Sequence, residues 1–158
     1  MTEASQTTFD DSSMKEWLVR ESAFAKLCRS IVPENKQILF DTLAKHGIAA
    51  VIVQFDGCGD SGQVEDIEVQ GADRPADLPS GMIEIADVSW GDLNIRRKTI
   101  CVREAIECLV YDFLRATHCG WENNDGAYGT FTFDVGKRTI LLEFNERHME
   151  SDYSEHEF

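Results

Sequence analysis

The segment that most restricts the fold of this chain is GTFTFDVGKRTILLEF, residues 129–144. Phe131, Phe133 and Val135 alternate with Thr130, Thr132 and Asp134, and past Gly136-Lys137 the alternation resumes as Ile140, Leu142 and Phe144. Alternation on both arms means two strands, each with one apolar face. Gly136-Lys137 matches a two-residue Gly-X turn, which pairs Val135 with Arg138, Phe133 with Ile140 and Phe131 with Leu142, so the apolar sides coincide. Such a hairpin does not stand alone. Further strands and helices must cover it.

Upstream segments supply that cover. Ser13-Met14-Lys15-Glu16 has the form of a capping box. Trp17, Glu21, Phe24, Cys28 and Ile31 follow at helical spacing, which predicts a helix over 13–31. Pro33 suits the first turn of a second helix, with Ile38, Leu39, Thr42, Leu43 and His46 as its stripe and Gly47 as its stop. Ile48 to Phe55 reads as a strand covered on both faces. Gln63 to Val69 alternates but slips phase between Val64 and Ile67, which predicts a bulge near Glu65-Asp66 in a hairpin with a long glycine-rich connection. Gly71 to Gly81 reads as a loop, and Met82 to Trp90 carries a weak strand signal. Thr99 to Cys119 reads as a helix capped by Thr99, with Ile106, Leu109, Val110, Phe113 and Leu114 on one face, and ended by Gly120. Cys101 and Cys108, seven apart, would share a buried face of it. The expected fold is α+β, a largely antiparallel sheet with helices packed on one face, in the order α-α-β-β-α-β-β. It forms a single domain over 13–158 after a disordered N-terminus, residues 1–12.

Charge bounds the function. The net charge is −14 over 158 residues, which repels phosphate backbones and argues against direct nucleic-acid binding. From Gln54 to Asp92 ten Asp/Glu stand against the single Arg74, and from Cys119 to Phe158 nine acids stand against three bases. Such a distribution favours a basic protein partner or a cation. No stretch approaches the roughly 20 apolar residues of a membrane span, and the N-terminus lacks the pattern of a secretion signal. Five cysteines without a C-x-x-C argue against a disulfide framework or structural zinc and fit a reducing cytoplasm.

FDGCGDSGQ, residues 55–63, offers several chemistries. Gly-Asp-Ser-Gly is the string around the nucleophile of trypsin-like serine proteases, but their triad runs His, Asp, Ser along the chain, whereas His118 follows Ser61 here. A strand, not a helix, follows Ser61, which excludes the strand-turn-helix elbow and equally a phosphate-binding loop. WENNDG, residues 121–126, has the look of a calcium loop, yet the positions that need acids are Trp121 and Thr132. An irregular oxygen site drawing on Asp56, Asp60, Glu122 and Asp125 would suit magnesium, calcium or manganese. The alternative is no cofactor, with acidic turns that are merely solvated. His148 and His156, eight apart in the tail, match no ligand spacing and read as part of a polar strand end and an exposed terminus.

GCGDSGQVEDIEV and GWENNDGAYGTFTFDVGKRTILLEFNERHMESDYSEHEF together resemble a family of small acidic proteins of unknown function, encoded on plasmids and other mobile elements of proteobacteria. The likeness runs from about residue 38 to 158. It implies a bacterial cytoplasm and a travelling gene, and it brings no catalytic residues. Ser61, Gln63, Trp121 to Asp125 and Asn145 to Arg147 match its polar motifs. The expected binding surface is therefore Asp56, Asp60, Ser61, Gln63, Glu65, Asp66, Glu122, Asn123, Asn124, Asp125, Asn145, Glu146 and Arg147. The expected function is a cytosolic binding protein rather than an enzyme. It would engage a basic, nucleic-acid-handling partner, as an anti-CRISPR or other anti-defence inhibitor does. The alternatives are a metal-dependent hydrolase using carboxylates of the two glycine-rich loops, and a homodimer formed through the edge of the terminal hairpin.

Overall fold

The computed structural model describes residues 11–158. Its elements are α1 (Asp11–Lys45), β1 (Ile48–Cys58), β2 (Ser61–Gly71), β3 (Met82–Ser89), β4 (Asp92–Cys101), α2 (Val102–Thr117), β5 (Ala127–Asp134) and β6 (Thr139–Glu146). The expected disordered start at 1–12 lies outside the described residues apart from Asp11 and Ser12, with which α1 begins. The fold is α+β: a four-stranded antiparallel sheet in the order β2-β1-β5-β6 beside a two-stranded ribbon, β3-β4.

Period-two patterning decides which face of the sheet is covered. Val51, Val53 and Phe55 of β1 and Phe131 and Phe133 of β5 are buried, with Ile140, Leu142 and Phe144 of β6 and Val64, Ile67 and Val69 of β2 packed beside them. Leu39, Phe40 and Leu43 of α1 and Val102, Ile106, Leu109, Val110 and Leu114 of α2 close this face as one cluster. The helices thus pack on one face, as the strand patterns demand. The opposite face is open, and here β1 departs from expectation: Ala50 and Ile52 are only half-buried and Gln54 is exposed. A continuous apolar run therefore did not mean cover on both sides.

The terminal hairpin has the expected register, Phe133 opposite Ile140 and Phe131 opposite Leu142. Its connection differs. It is a four-residue loop, Val135 to Arg138, in which the Lys137 N–H donates to Asp134 Oδ1 at 3.0 Å and Arg138, not Gly136, takes positive φ, 55°. The bulge in β2 is where the phase slip put it: Gln54 faces Asp66 while Phe55 faces Val64, leaving Glu65 as the extra residue.

Three boundaries need correction. The two N-terminal helices are one helix, with Pro33 inside it and Ser13 past its start. Proline removes one helical hydrogen bond at a cost of roughly 3 kcal/mol. The bond it deletes would have ended on the carbonyl of Arg29, whose residue is exposed. On the other side of the helix Ile31, Asn35 and Leu39 form a buried seam that runs through the proline and holds both segments in line. Residues 92–101, partly assigned to a helix, are strand β4, so Thr99 is no cap and Cys101 ends a strand rather than sharing a face with Cys108. The N–H of Cys101 instead donates to the carboxylate of Glu104 at 3.4 Å. Finally, the β1–β2 connection is not long. Cys58 pairs with Ser61, and only Gly59-Asp60 lie between.

The ribbon is fastened to α1 by a buried polar contact. Asn35 Nδ2 donates to the Ala86 carbonyl at 2.9 Å, and the Ala86 N–H donates to Asn35 Oδ1 at 2.8 Å. Ion pairs of Arg97 with Glu34 and of Arg138 with Asp41 add exposed ties from α1 to β4 and to the β5–β6 loop. No helix of the described residues is long and apolar enough to cross a membrane.

Candidate functional site

The stretch FDGCGDSGQ is built around a tryptophan. Gly59, at φ 65°, followed by Asp60 at negative φ, has the pattern of a type II′ turn, which demands glycine first. Gly57 and Gly62 face each other across the hairpin. A Cβ at Gly57 would lie 2.6 Å from Cζ3 of Trp121, and one at Gly62 would lie 2.3 Å from its Cη2. These glycines form a slot for the indole, which meets Phe55 edge-on at 5.4 Å and 85°. The loop 119–126 therefore sits against the β1–β2 turn. The Gly59 N–H donates to the Asn124 carbonyl at 3.1 Å.

Trp121 divides the expected residues into two groups. Asp60, Ser61 and Glu122 line one hollow with Tyr111, Arg115 and Cys119. Asn123, Asn124, Asp125, Glu146 and Arg147 line another, of about 300 Å³, next to His118. The His118 ring stacks on Phe144 at 3.7 Å between centroids.

The four carboxylates considered for a metal are not gathered. Asp56 accepts from both terminal nitrogens of Arg147, at 3.0 and 2.8 Å, and Arg147 also donates to the Gly57 carbonyl at 3.1 Å. Those hydrogen bonds to Asp56 raise the Arg147 pKa, holding the guanidinium firmly charged. Asp125 accepts from the Met149 N–H at 2.9 Å. Among the described residues no group of three or more His, Cys, Asp and Glu is placed to hold a metal ion.

What the sheet does assemble is its open face. The register lays out rows across β2, β1, β5 and β6: Gln70, Ala50, Asp134, Thr139; Glu68, Ile52, Thr132, Leu141; Asp66, Gln54, Thr130, Glu143; and Gln63, Asp56, Tyr128, Asn145. These rows carry Asp56, Asp66, Glu68, Asp134 and Glu143 and no lysine or arginine. Glu65 stands exposed at the bulge beside them. Arg147 lies just beyond the last row, over the Tyr128 ring at 4.7 Å, and is neutralised by Asp56. Among the described residues Asp66, Glu68, Asp134 and Glu143 form no ion pair.

Of the expected surface, Asp56, Gln63, Asp66 and Asn145 belong to this face. Asp60, Ser61 and Glu122 lie at the end of the sheet behind Trp121. Glu68, Asp134, Glu143 and Tyr128 were missed. Strand alternation held the signal for all of them, because each sits at a position opposite in phase to neighbours on the core side of the sheet. Tyr111 was also missed: its hydroxyl accepts the Val64 N–H at 3.0 Å, beside the bulge. No motif marks such a residue.

The five cysteines are free, and burial raises the thiol pKa of Cys28 and of Cys108. No curated protein and no solved structure matches this chain. Residues 31–158, from the first buried turn of α1 to the terminus, match DUF6878, a family of unknown function, and the chain belongs to that family.

Proposed function

We propose that this protein is an acidic binding protein whose open sheet face docks on the basic surface of a nucleic-acid-handling protein in the cytoplasm. The observation that carries this reading is the set of rows containing Asp66, Glu68, Asp134 and Glu143 without a lysine or arginine. A rigid sheet holds these carboxylates in fixed spacing, so little order has to be imposed on binding. Like charges this close repel one another, and a cationic partner relieves that repulsion while steering the encounter. A concrete form is an inhibitor carried on a mobile element, an anti-CRISPR protein among them. Carboxylate rows on a twisted sheet offer a basic channel the same sign of charge as a phosphate backbone.

The test is capture from a bacterial lysate with wild-type protein and with an Asp66→Lys/Glu68→Lys variant, at low and at elevated salt, with mass-spectrometric identification. The expected result is enrichment of basic nucleic-acid-handling proteins by the wild type, lost in the variant and weakened by salt. An identical set of proteins retained by both, indifferent to salt, would overturn the proposal.

A further inference from the structure

The open face of the sheet is charged at its margins and neutral along its middle. An antiparallel sheet that turns one face to water carries polar residues there, and this one does so only in part. Its two inner strands contribute Ala50, Ile52, Thr130 and Thr132, all half-buried and none charged. Leu141 of β6, in the row of Ile52 and Thr132, is 59% exposed. Carboxylates flank this floor. Asp66 and Glu68 stand exposed on β2. Asp134 of β5 and Glu143 of β6 stand on the other side. Asp66 and Glu143 close the two ends of one row, three strand spacings or about 14 Å apart. Uncharged donors fix two of these groups without neutralising them. Thr130 Oγ1 donates to Glu143 Oε2 at 3.1 Å, and the Lys137 N–H donates to Asp134.

We infer that the segment this face takes from its partner is a basic amphipathic α-helix, laid along β1 and β5. The inference rests on the docking face proposed above and names what fills it. Backbone accounting selects a helix. The middle of a sheet face presents side chains only, so an extended segment laid on it would leave its own N–H and C=O groups without partners. A helix pairs those groups internally and, with its side chains, is about 10–12 Å across, so it fits between Asp66 and Glu143. Charge sets the pattern on that helix. An apolar stripe at steps of three and four rests on Ala50, Ile52 and Leu141. Lysines and arginines on one shoulder of the stripe reach Asp66 and Glu68, and those on the other shoulder reach Asp134 and Glu143. Their methylene stems lie over the threonines. The rows hold no lysine or arginine, so an acidic or neutral helix gains nothing from either margin.

Two acetylated and amidated peptides of about 18 residues, five helical turns, test it with the full chain. They share one composition of lysine, leucine and alanine. In one, leucines recur at helical spacing between lysines; in the other, the order is shuffled so that no apolar stripe remains. Fluorescence anisotropy gives their affinities, and circular dichroism gives the helix gained on mixing. The ordered peptide is expected to bind the wild type roughly tenfold or more tightly than the shuffled one, and to gain helix as it binds. Ile52→Thr keeps a β-branched residue in the strand and is expected to narrow that preference. Asp66→Lys/Glu68→Lys is expected to weaken both peptides. Equal affinities with no helix gained, both still lost in Asp66→Lys/Glu68→Lys, would overturn the helix and leave the docking face standing. Peptides that bind Asp66→Lys/Glu68→Lys as tightly as the wild type would overturn both.

Discussion

Replacing Gly62 by alanine tests whether the paired glycines exist to admit Trp121. The new Cβ would lie 2.3 Å from Cη2 of the indole, with Cζ3 and Cζ2 at 2.7 and 2.8 Å. Two responses are open. The ring can stay, with overpacking strain of about 1–3 kcal/mol. Or it can swing out and lose its packing against Phe55 and the glycines. A fully buried tryptophan truncated to alanine loses roughly 3–5 kcal/mol, and Trp121 is half-buried, so its share is about 2 kcal/mol. Because swinging out is always available, that figure caps the damage, and Gly62→Ala is expected to cost about 1–2 kcal/mol. At this chain length that lowers Tm by about 3–7 °C. In a Trp121→Ala background the obstruction is gone. Gly62 has no left-handed φ, so alanine there is expected to be neutral or to stabilise by about 0.4–1 kcal/mol through the unfolded chain. Urea unfolding of wild type, both single variants and the double variant closes the cycle. Additive costs, with Gly62→Ala harming the Trp121→Ala protein as much as the wild type, would refute the slot.

Three further outcomes follow from particular contacts. Asn35→Ala leaves the buried N–H and carbonyl of Ala86 unpartnered, at about 1–3 kcal/mol each, so a loss near 2–5 kcal/mol is expected in urea unfolding, and a loss under about 1 kcal/mol would contradict it. Burial raises the pKa of Asp112, partly offset by Arg115. The folded state therefore keeps a proton that the unfolded state gives up, and this contribution to stability falls as pH rises from the unfolded carboxylate value, 3.8, through the raised folded one. Asp112→Asn should thus gain on the wild type as pH increases over that window, and a gap that stays constant would be evidence against the burial effect. Arg147→Gln frees Asp56 and makes the open face more negative, so binding of the basic partner should tighten at low salt; weaker binding would place Arg147 itself in the contact.

The sequence disclosed the parts of the fold governed by local periodicity. The terminal hairpin register followed from two matched alternations, and the bulge at Glu65 from one slipped phase. What it concealed depended on distant contacts. Pro33 reads as a helix start, but a buried seam on the side away from the lost hydrogen bond carries the helix through. The β3–β4 ribbon was obscured because Arg96, Arg97 and Lys98 interrupt its alternation and most of β4 is exposed. Gly136-Lys137 and Gly59-Asp60 both satisfy the Gly-X turn rule, and only the second uses it. The acidic character of the site was plain in composition. Its placement on one sheet face was not, because strand order decides which rows adjoin, and the loop residues Asp60, Ser61 and Glu122 drew attention to the wrong side of Trp121.

The central claim is that a particular face, not net charge alone, recognises the partner. The most direct measurement is the affinity of the captured basic protein for wild type, for Asp66→Lys/Glu68→Lys, and for Glu150→Lys/Asp152→Lys, which changes net charge equally in the tail outside the sheet rows. The account predicts a loss of roughly tenfold or more for the face variant, little change for the tail variant, and a salt dependence that flattens only in the former. Equal losses in both variants would contradict it.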